Sequence, residues 1–377
     1  MILSLLLAAC SDKPPTGFVL VVAGRVVDEA DDGIGATITL GTPEGEVVAI
    51  AQSSASGDWS TAVYGDELLG NELVALYDAP GSAQGRARYL LNLRSPTMHE
   101  LDPGPWQTWQ ASERRLPTMQ LAADAEEGEA DIRITTLLGE RVPGATIEFR
   151  RGWNADSASP AQTQAIADDV GELSLLAAPG WWTARVLPGP TSGEARFGVF
   201  CSPGGSIATT TGVVPPLEPV WLTAALTWAP HPLDLDLHLT APLKGGQAGE
   251  DGSGTYHLWA GDPRHPENTS ADAEAEMLRT DADGEGPESL VVVDPPDQGE
   301  SRLSVLDNDN VSDSTSTQLG HGRAQVQVWL QDQDPAYYTV SPGEIATLWR
   351  PVEIEDDVTY EVETFEIGVQ PDDAAQF

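Results

Sequence analysis

The chain is poor in lysine, cysteine and positive charge of any kind. Of its 377 residues only 19 are Lys or Arg, against 59 Asp or Glu, so the formal net charge is −40. Lysine occurs only at Lys13 and Lys244. A field of this sign repels phosphate backbones, which excludes nucleic acid as a partner, and no polybasic patch exists to grip an anionic membrane. Cysteine occurs only at Cys10 and Cys201, so a lipid on Cys10 would rule out both a disulfide framework and a two-cysteine metal site. No apolar run reaches the roughly 20 residues that a bilayer-spanning helix needs. Local signatures of common catalysts are missing too: there is no Gly-x-Ser-x-Gly elbow, no Gly-rich phosphate loop, no His-Glu-x-x-His and no His-x-x-Glu.

What the chain does have is punctuation and aromatic bulk. It carries 37 glycines and 29 prolines, which disfavour long helices, and 11 tryptophans. Its hydrophobic fraction of 40% suffices to build cores, so global disorder is excluded. At about 100–150 residues per domain, the length predicts two to four domains.

The first ten residues, Met1 to Cys10, are apolar and end in small residues. They are too short to span a bilayer and read as a secretion signal, although no Lys or Arg precedes the run. The tetrad Leu7-Ala8-Ala9-Cys10 resembles the bacterial lipobox, whose cysteine is diacylated and becomes the mature N-terminus. That resemblance implies a lipid on Cys10 and a short tether from Ser11 to Gly17. Ser11, rather than Asp, after the cysteine is similar to enterobacterial lipoproteins sorted to the outer membrane, so a lipid-anchored place at the cell outer membrane is expected. Cys201 then has no intrachain partner. It sits in the strand-like run Arg196 to Cys201 and is expected to be a buried, inert thiol.

Period-two patterns dominate the rest. Phe18 to Val27, Ala36 to Leu40, Glu46 to Ala51 and Leu73 to Tyr77 read as strands between Gly, Asp and Pro turns, with weaker candidates at Arg88 to Leu93 and Met119 to Leu121. The acidic stretch Asp124 to Asp131 predicts a linker. A second series runs from Ile132 to Ser206, Pro215 to Pro219 forms a semi-rigid break, and a third series starts at Trp221. The predicted architecture is all-β: three tandem β-sandwiches of transthyretin-like or immunoglobulin-like type. They are expected over residues 18–122, 128–214 and 218–377, after a signal and tether over 1–17.

The first two segments share a pattern. One reads Gly24-Arg25-Val26-Val27-Asp28, Gly35-Ala36-Thr37-Ile38 and Ser56-Gly57-Asp58-Trp59. The other reads Ile132-Arg133-Ile134, Pro143-Gly144-Ala145-Thr146-Ile147 and Asp169-Val170-Gly171-Glu172. Pro143-Gly144 suits the centre of a type II turn, and Asp-x-Gly suits a hairpin. This grammar resembles the carboxypeptidase regulatory-like domain, which implies a transthyretin-like seven-stranded sandwich without catalytic residues.

In the third segment, Leu233 to Leu239 alternates Leu with Asp234, Asp236 and His238. A strand places those polar residues on one face at intervals of about 6.5–7 Å. Leu226-x-Trp228, this Asp-Leu-Asp-x-His-Leu run, an acidic loop ending Gly286-Pro287-Glu288, and Ser304-Val305-Leu306-Asp307 resemble an uncharacterised family of bacterial surface domains. The resemblance implies a surface or periplasmic β-sandwich and no known reaction. Two positions depart from the pattern: Arg302 replaces a usual Tyr, and Arg350-Pro351 interrupts the last strand.

Two readings of the acids stay open. Asp234, Asp236, Asp281, Asp283 and Glu288 could ligate calcium, or they form a solvated acidic face with Asp residues capping turns; a transition metal at His238 and His257 is a lesser alternative to local hydrogen bonds. Trp106 and Trp109, in a Pro-rich loop, are candidates for binding a protein or polysaccharide at the cell surface. No residue set reads as catalytic. The expected function is a lipid-anchored, non-catalytic envelope protein with a structural, adhesive or protein-binding role. A calcium-dependent or carbohydrate-binding module is the alternative, and a hydrolase a distant one.

Overall fold

The computed structural model describes residues 18–64, 72–90, 99–101 and 109–368, apart from 207, 219, 233, 244–253, 266–273, 282–285, 297–298 and 356. Nearly all regular structure is strand. The one helix among the described residues is a single turn, Gln318–His321.

Nine strands build a first pair of sheets: β1 (Phe18–Val27), β2 (Thr37–Gly41), β3 (Val47–Gln52), β4 (Asp58–Tyr64), β5 (Glu72–Asp78), β6 (Gly85–Leu90), β7 (His99–Leu101), β8 (Trp109–Arg115) and β9 (Met119–Gln120). One sheet runs β4-β1-β8-β7, with β9 also on β1; the other runs β3-β2-β5-β6. Alternation sends Leu20 and Val22, Ile38 and Leu40, and Leu73, Ala75 and Tyr77 into one core between them. Trp109 is thus the first residue of a strand rather than part of a loop, because its backbone pairs with Leu101.

Seven strands form the second pair: β10 (Gly128–Thr136), β11 (Thr146–Arg151), β12 (Thr163–Ile166), β13 (Glu172–Ala177), β14 (Gly180–Val186), β15 (Ala195–Cys201) and β16 (Thr210–Val214). The sheets run β13-β10-β16 and β12-β11-β14-β15. The wiring repeats that of the first pair. β1 is antiparallel to β4 and parallel to β8; β10 is antiparallel to β13 and parallel to β16. The repeat extends to single hydrogen bonds. Val26 N donates to Gly57 O and Ile34 N to Val26 O; Ile134 N donates to Gly171 O and Val142 N to Ile134 O. Gly57 (φ +83°) and Gly171 (φ +76°) hold the left-handed turns at matching places. A Cβ on Gly57 would meet the Val26 carbonyl oxygen at 2.1 Å, so the turn leaves no room for a side chain.

The third pair holds β17 (Leu222–Thr227), β18 (Leu235–Pro242), β19 (Thr255–Leu258), β20 (Arg264–His265), β21 (Ala275–Arg279), β22 (Glu288–Val292), β23 (Ser301–Asp307), β24 (Gln325–Leu330), β25 (Ala336–Thr339), β26 (Leu348–Glu355) and β27 (Val358–Glu366). Its sheets run β20-β21-β22-β17-β24-β25 and β19-β18-β23-β26-β27. Both strands with unusual residues form: Arg302 lies in β23, and Pro351 sits where the β26–β27 register slips, so its missing N–H breaks no regular ladder.

The acidic stretch does not behave as a free linker. Ala123 bridges to Ser82, and from Gly128 the chain is strand. Ala130 and Ile132 turn inward while Glu129 and Asp131 turn outward, so the strand forms without burying a charge.

The three sandwiches are joined through buried faces. β17 and β24 are buried along their whole length. Val326 and Val328 fill their own core, whereas Ala225 and Trp329 join the core of the second sandwich. Polar residues of β24 finish the seam. The Gln325 amide accepts from Gly198 N and donates to Gly198 O, both at 2.9 Å, as a neighbouring strand would. Gln327 accepts from Val213 N at 3.1 Å, and Trp329 donates to Glu194 O at 2.8 Å. Gly198 allows this approach, since a Cβ there would meet the Tyr337 ring at 3.0 Å.

A second seam joins all three units. Trp153, from the loop after β11, lies in the core of the first sandwich together with Tyr337 of β25. Its backbone N donates to Arg86 O and its carbonyl accepts from Arg88 N, extending the β6 edge. Tyr337 Oη accepts from Asn154 N at 2.6 Å and meets Thr183 Oγ1 at 3.2 Å. Thr183 in turn donates to Gly152 O at 2.8 Å.

Candidate functional site

β18 behaves as its alternation demands. Leu235, Leu237 and Leu239 enter the core, and Asp236 and His238 share the opposite face. That face is not solvated: Asp236 is 5% exposed and His238 is 3% exposed. Trp259 stacks on the His238 ring at 5.7 Å with the planes 9° apart. His238 Nδ1 lies 2.8 Å from His257 Nε2, and His257 Nδ1 lies 2.9 Å from Thr240 Oγ1. Burial, and then the neighbouring His257, push the His238 pKa down to about 3, so the ring is neutral. Its Nε2 is buried with no hydrogen-bond partner among the described residues.

Glu288, the first residue of β22, reaches across to the facing sheet. One carboxyl oxygen accepts from Leu237 N at 2.6 Å and the other from Asp281 N at 3.1 Å. Leu237 lies on the part of β18 that β19 leaves unpaired, so Glu288 completes that edge. Burial raises its pKa to about 8 against these two bonds, with Asp236 and Asp234 adding repulsion. Asp236 rises to about 6 through burial and then through Asp234. Asp307, fully buried and also raised by burial, accepts from Asn310. Asp234 is tied down by Asn308, which donates from its backbone at 3.1 Å and from its side chain at 2.8 Å.

Of the expected calcium ligands, Asp234, Asp236 and Glu288 are therefore brought close enough to perturb one another. Asp281 pairs with Arg279 at 2.5 Å. Asp283 lies outside the described residues. Among the described residues, no group of three His, Cys, Asp or Glu side chains is placed to hold a metal ion. Asp307 belongs to the same cluster, although its motif alone gave no reason to single it out. Cys10 and Trp106 lie outside the described residues, and of Trp109 only the backbone is described. Cys201 is fully buried, and burial pushes its thiol up to about 12, the state of an inert thiol. Among the described residues no helix is long and apolar enough to cross a membrane.

No family model matches the chain, and no curated protein matches it. Among solved structures it is similar to the Bacillus anthracis TIE protein, with a TM-score of 0.21 and 10% identity over 74% of this chain; it spans 49% of that protein's length. It is also similar to the minor pilin of Streptococcus agalactiae, with a TM-score of 0.21 and 11% identity over 53% of this chain and 97% of that one. The major pilin subunit of Bacillus cereus gives a TM-score of 0.20 and 8% identity over 87% of this chain and 97% of that one. These likenesses are faint, and the functional reading rests on the chain's own residues.

Proposed function

We propose that the protein is a non-catalytic, lipid-anchored component of the bacterial cell envelope, with a structural or adhesive role carried by a rigid three-sandwich body. The observation behind this reading is the buried seam, where Gln325, Trp329, Tyr337 and Trp153 fasten three sandwiches to one another. Gln325, Gln327, Trp329 and Tyr337 each make a hydrogen bond across it, as in a permanent interface. The buried carboxylates fit the same reading: Glu288 spends both oxygens on backbone N–H groups of its own sandwich. The anchor rests on Leu7-Ala8-Ala9-Cys10. Cells fed a fatty-acid analogue should label the wild type, and Cys10→Ser should lose the label and leave the membrane fraction. Membrane retention of the unlabelled variant would contradict the anchor.

A second reading, calcium at Asp234, Asp236, Asp281, Asp283 and Glu288, is favoured by one observation. Asp236 and Glu288 are buried carboxyls, each raised in pKa, and a divalent cation beside them would favour the ionised form of both. Extracellular sites bind at about 10⁻⁴–10⁻³ M, so millimolar calcium should raise the melting temperature relative to chelator. Asp281→Asn with Asp283→Asn should abolish the rise. An equal rise from sodium at matched ionic strength would mean general screening and would reject the site.

A further inference from the structure

The chain's scarce positive charge is not spread evenly. Four of its 17 arginines, Arg86, Arg88, Arg150 and Arg151, line one cleft of about 420 Å³ between the first and second sandwiches. The cleft arises where the segment after β11 runs beside the β6 edge, joined by the Ala87–Trp153 bridge. Alternation along β6 turns Arg86 and Arg88 outward, toward the cleft, while Ala87 and Tyr89 are buried. Val74 and Leu76 of β5 add apolar wall.

The carboxylates nearby cancel part of this charge: Glu72 neutralises Arg88 and Glu148 neutralises Arg150, which leaves Arg86 and Arg151. Glu72 is held by Arg88 in a two-pronged ion pair. Asp156 accepts from Ala158 N at 3.0 Å, capping its own loop. Arg150 is 5% exposed; it donates to Ser159 O and to Glu148, but its Nη1 has no partner among the described residues. Arg151 lies over the Trp182 ring at 5.9 Å and donates to two carbonyls, Gln84 O at 3.4 Å and Pro179 O at 3.2 Å. Arg86 is exposed, and among the described residues its guanidinium has no hydrogen-bond or ion-pair partner. In a molecule of net charge −40, Arg86 and Arg151 stand side by side on one concave surface with no carboxylate partner among the described residues, a small local excess of positive charge. Guanidinium is also the group whose planar donors match carboxylate and phosphate oxygens. The volume falls in the range of small-molecule sites, about 300–1,000 Å³, with apolar wall and a few polar anchors as such sites have.

We propose that this cleft binds a small organic anion, its carboxylate or phosphate oxygens received by Arg86 and Arg151, with the unpartnered Nη1 of Arg150 in the same wall. The two oxyanion chemistries share the same donors and are separable by probe. Calorimetric titration of the full chain with glucuronate, inorganic phosphate and neutral glucose, at low ionic strength, tests it. At least one anion should bind saturably, more weakly as salt rises, and glucose should not bind; the tighter anion names the group recognised. Arg86→Glu should weaken that binding by about tenfold or more, while Arg86→Lys retains most of it. Arg151→Gln is the second variant and should weaken it as well. Absence of saturable binding by either anion, equal binding of glucose, or anion binding untouched by both Arg86→Glu and Arg151→Gln would overturn the proposal.

Discussion

Trp153→Ala should cost about 3–5 kcal/mol of stability, the usual loss for truncating a fully packed large aromatic. Trp153 is only 5% exposed, and its ring lies 5.5 Å from Tyr89 and 5.9 Å from Tyr337. Those three aromatics come from three different sandwiches, so the cavity would open where all three meet. Urea unfolding, followed by tryptophan fluorescence, measures the loss. Tyr337→Phe isolates the polar part of the seam. It keeps the ring but removes the hydroxyl that accepts from Asn154 N at 2.6 Å, and leaving that N–H unpaired should cost about 1–3 kcal/mol. Ile166, 66% exposed, provides the control: Ile166→Ala should stay within about 0.5 kcal/mol. A Trp153→Ala variant no less stable than this control would mean the sandwiches do not depend on one another.

The second large effect is with pH. Glu288 has a folded pKa of about 8 against an ordinary value of 4.5. A carboxyl raised in this way holds its proton more tightly when folded than when unfolded. Its favourable contribution is therefore complete below about pH 4.5 and is lost as the unfolded chain ionises, falling until pH passes about 8 and then levelling. The difference is on the order of 4 kcal/mol for a fully buried group, and Asp236, raised to about 6, acts in the same direction. Asp307, Asp31 and Glu361 are also raised by burial and reinforce the slope, while His238, lowered to about 3, opposes it below about pH 6.5 and offsets part of it. In chelator, the protein should accordingly be markedly more stable at pH 5 than at pH 8. Glu288→Gln keeps one accepting oxygen and should lose most of the slope, whatever it does to stability at pH 5. A flat profile, or a protein more stable at pH 8, would contradict the burial of these carboxylates.

The alternation of apolar residues was enough to place most strands and the shared grammar of the first two sandwiches, because each strand has one wet and one dry face. Legibility failed where both faces are dry. Gln325-Val326-Gln327-Val328-Trp329 reads as an ordinary half-exposed strand, yet its glutamines are buried against Gly198 and Val213. The partner that buries them lies more than a hundred residues away, and no local pattern encodes it. The same gap explains the acidic face. Asp236 and His238 fall on the side of β18 that the sequence assigns, but both are buried, His238 beneath Trp259 from beyond the next strand. The arginine cleft was illegible for a similar reason. Arg86 and Arg88 alternate along one strand and Arg150-Arg151 end another, and only the pairing of Ala87 with Trp153 brings them together.

Small-angle X-ray scattering of the full chain tests the central claim most directly, because it reads whether three sandwiches are one body. Three mutually packed units of this total length should give a radius of gyration near the compact value of about 21 Å. Independent sandwiches strung on linkers would give a value above about 30 Å and a profile of separated masses, and that result would contradict the account.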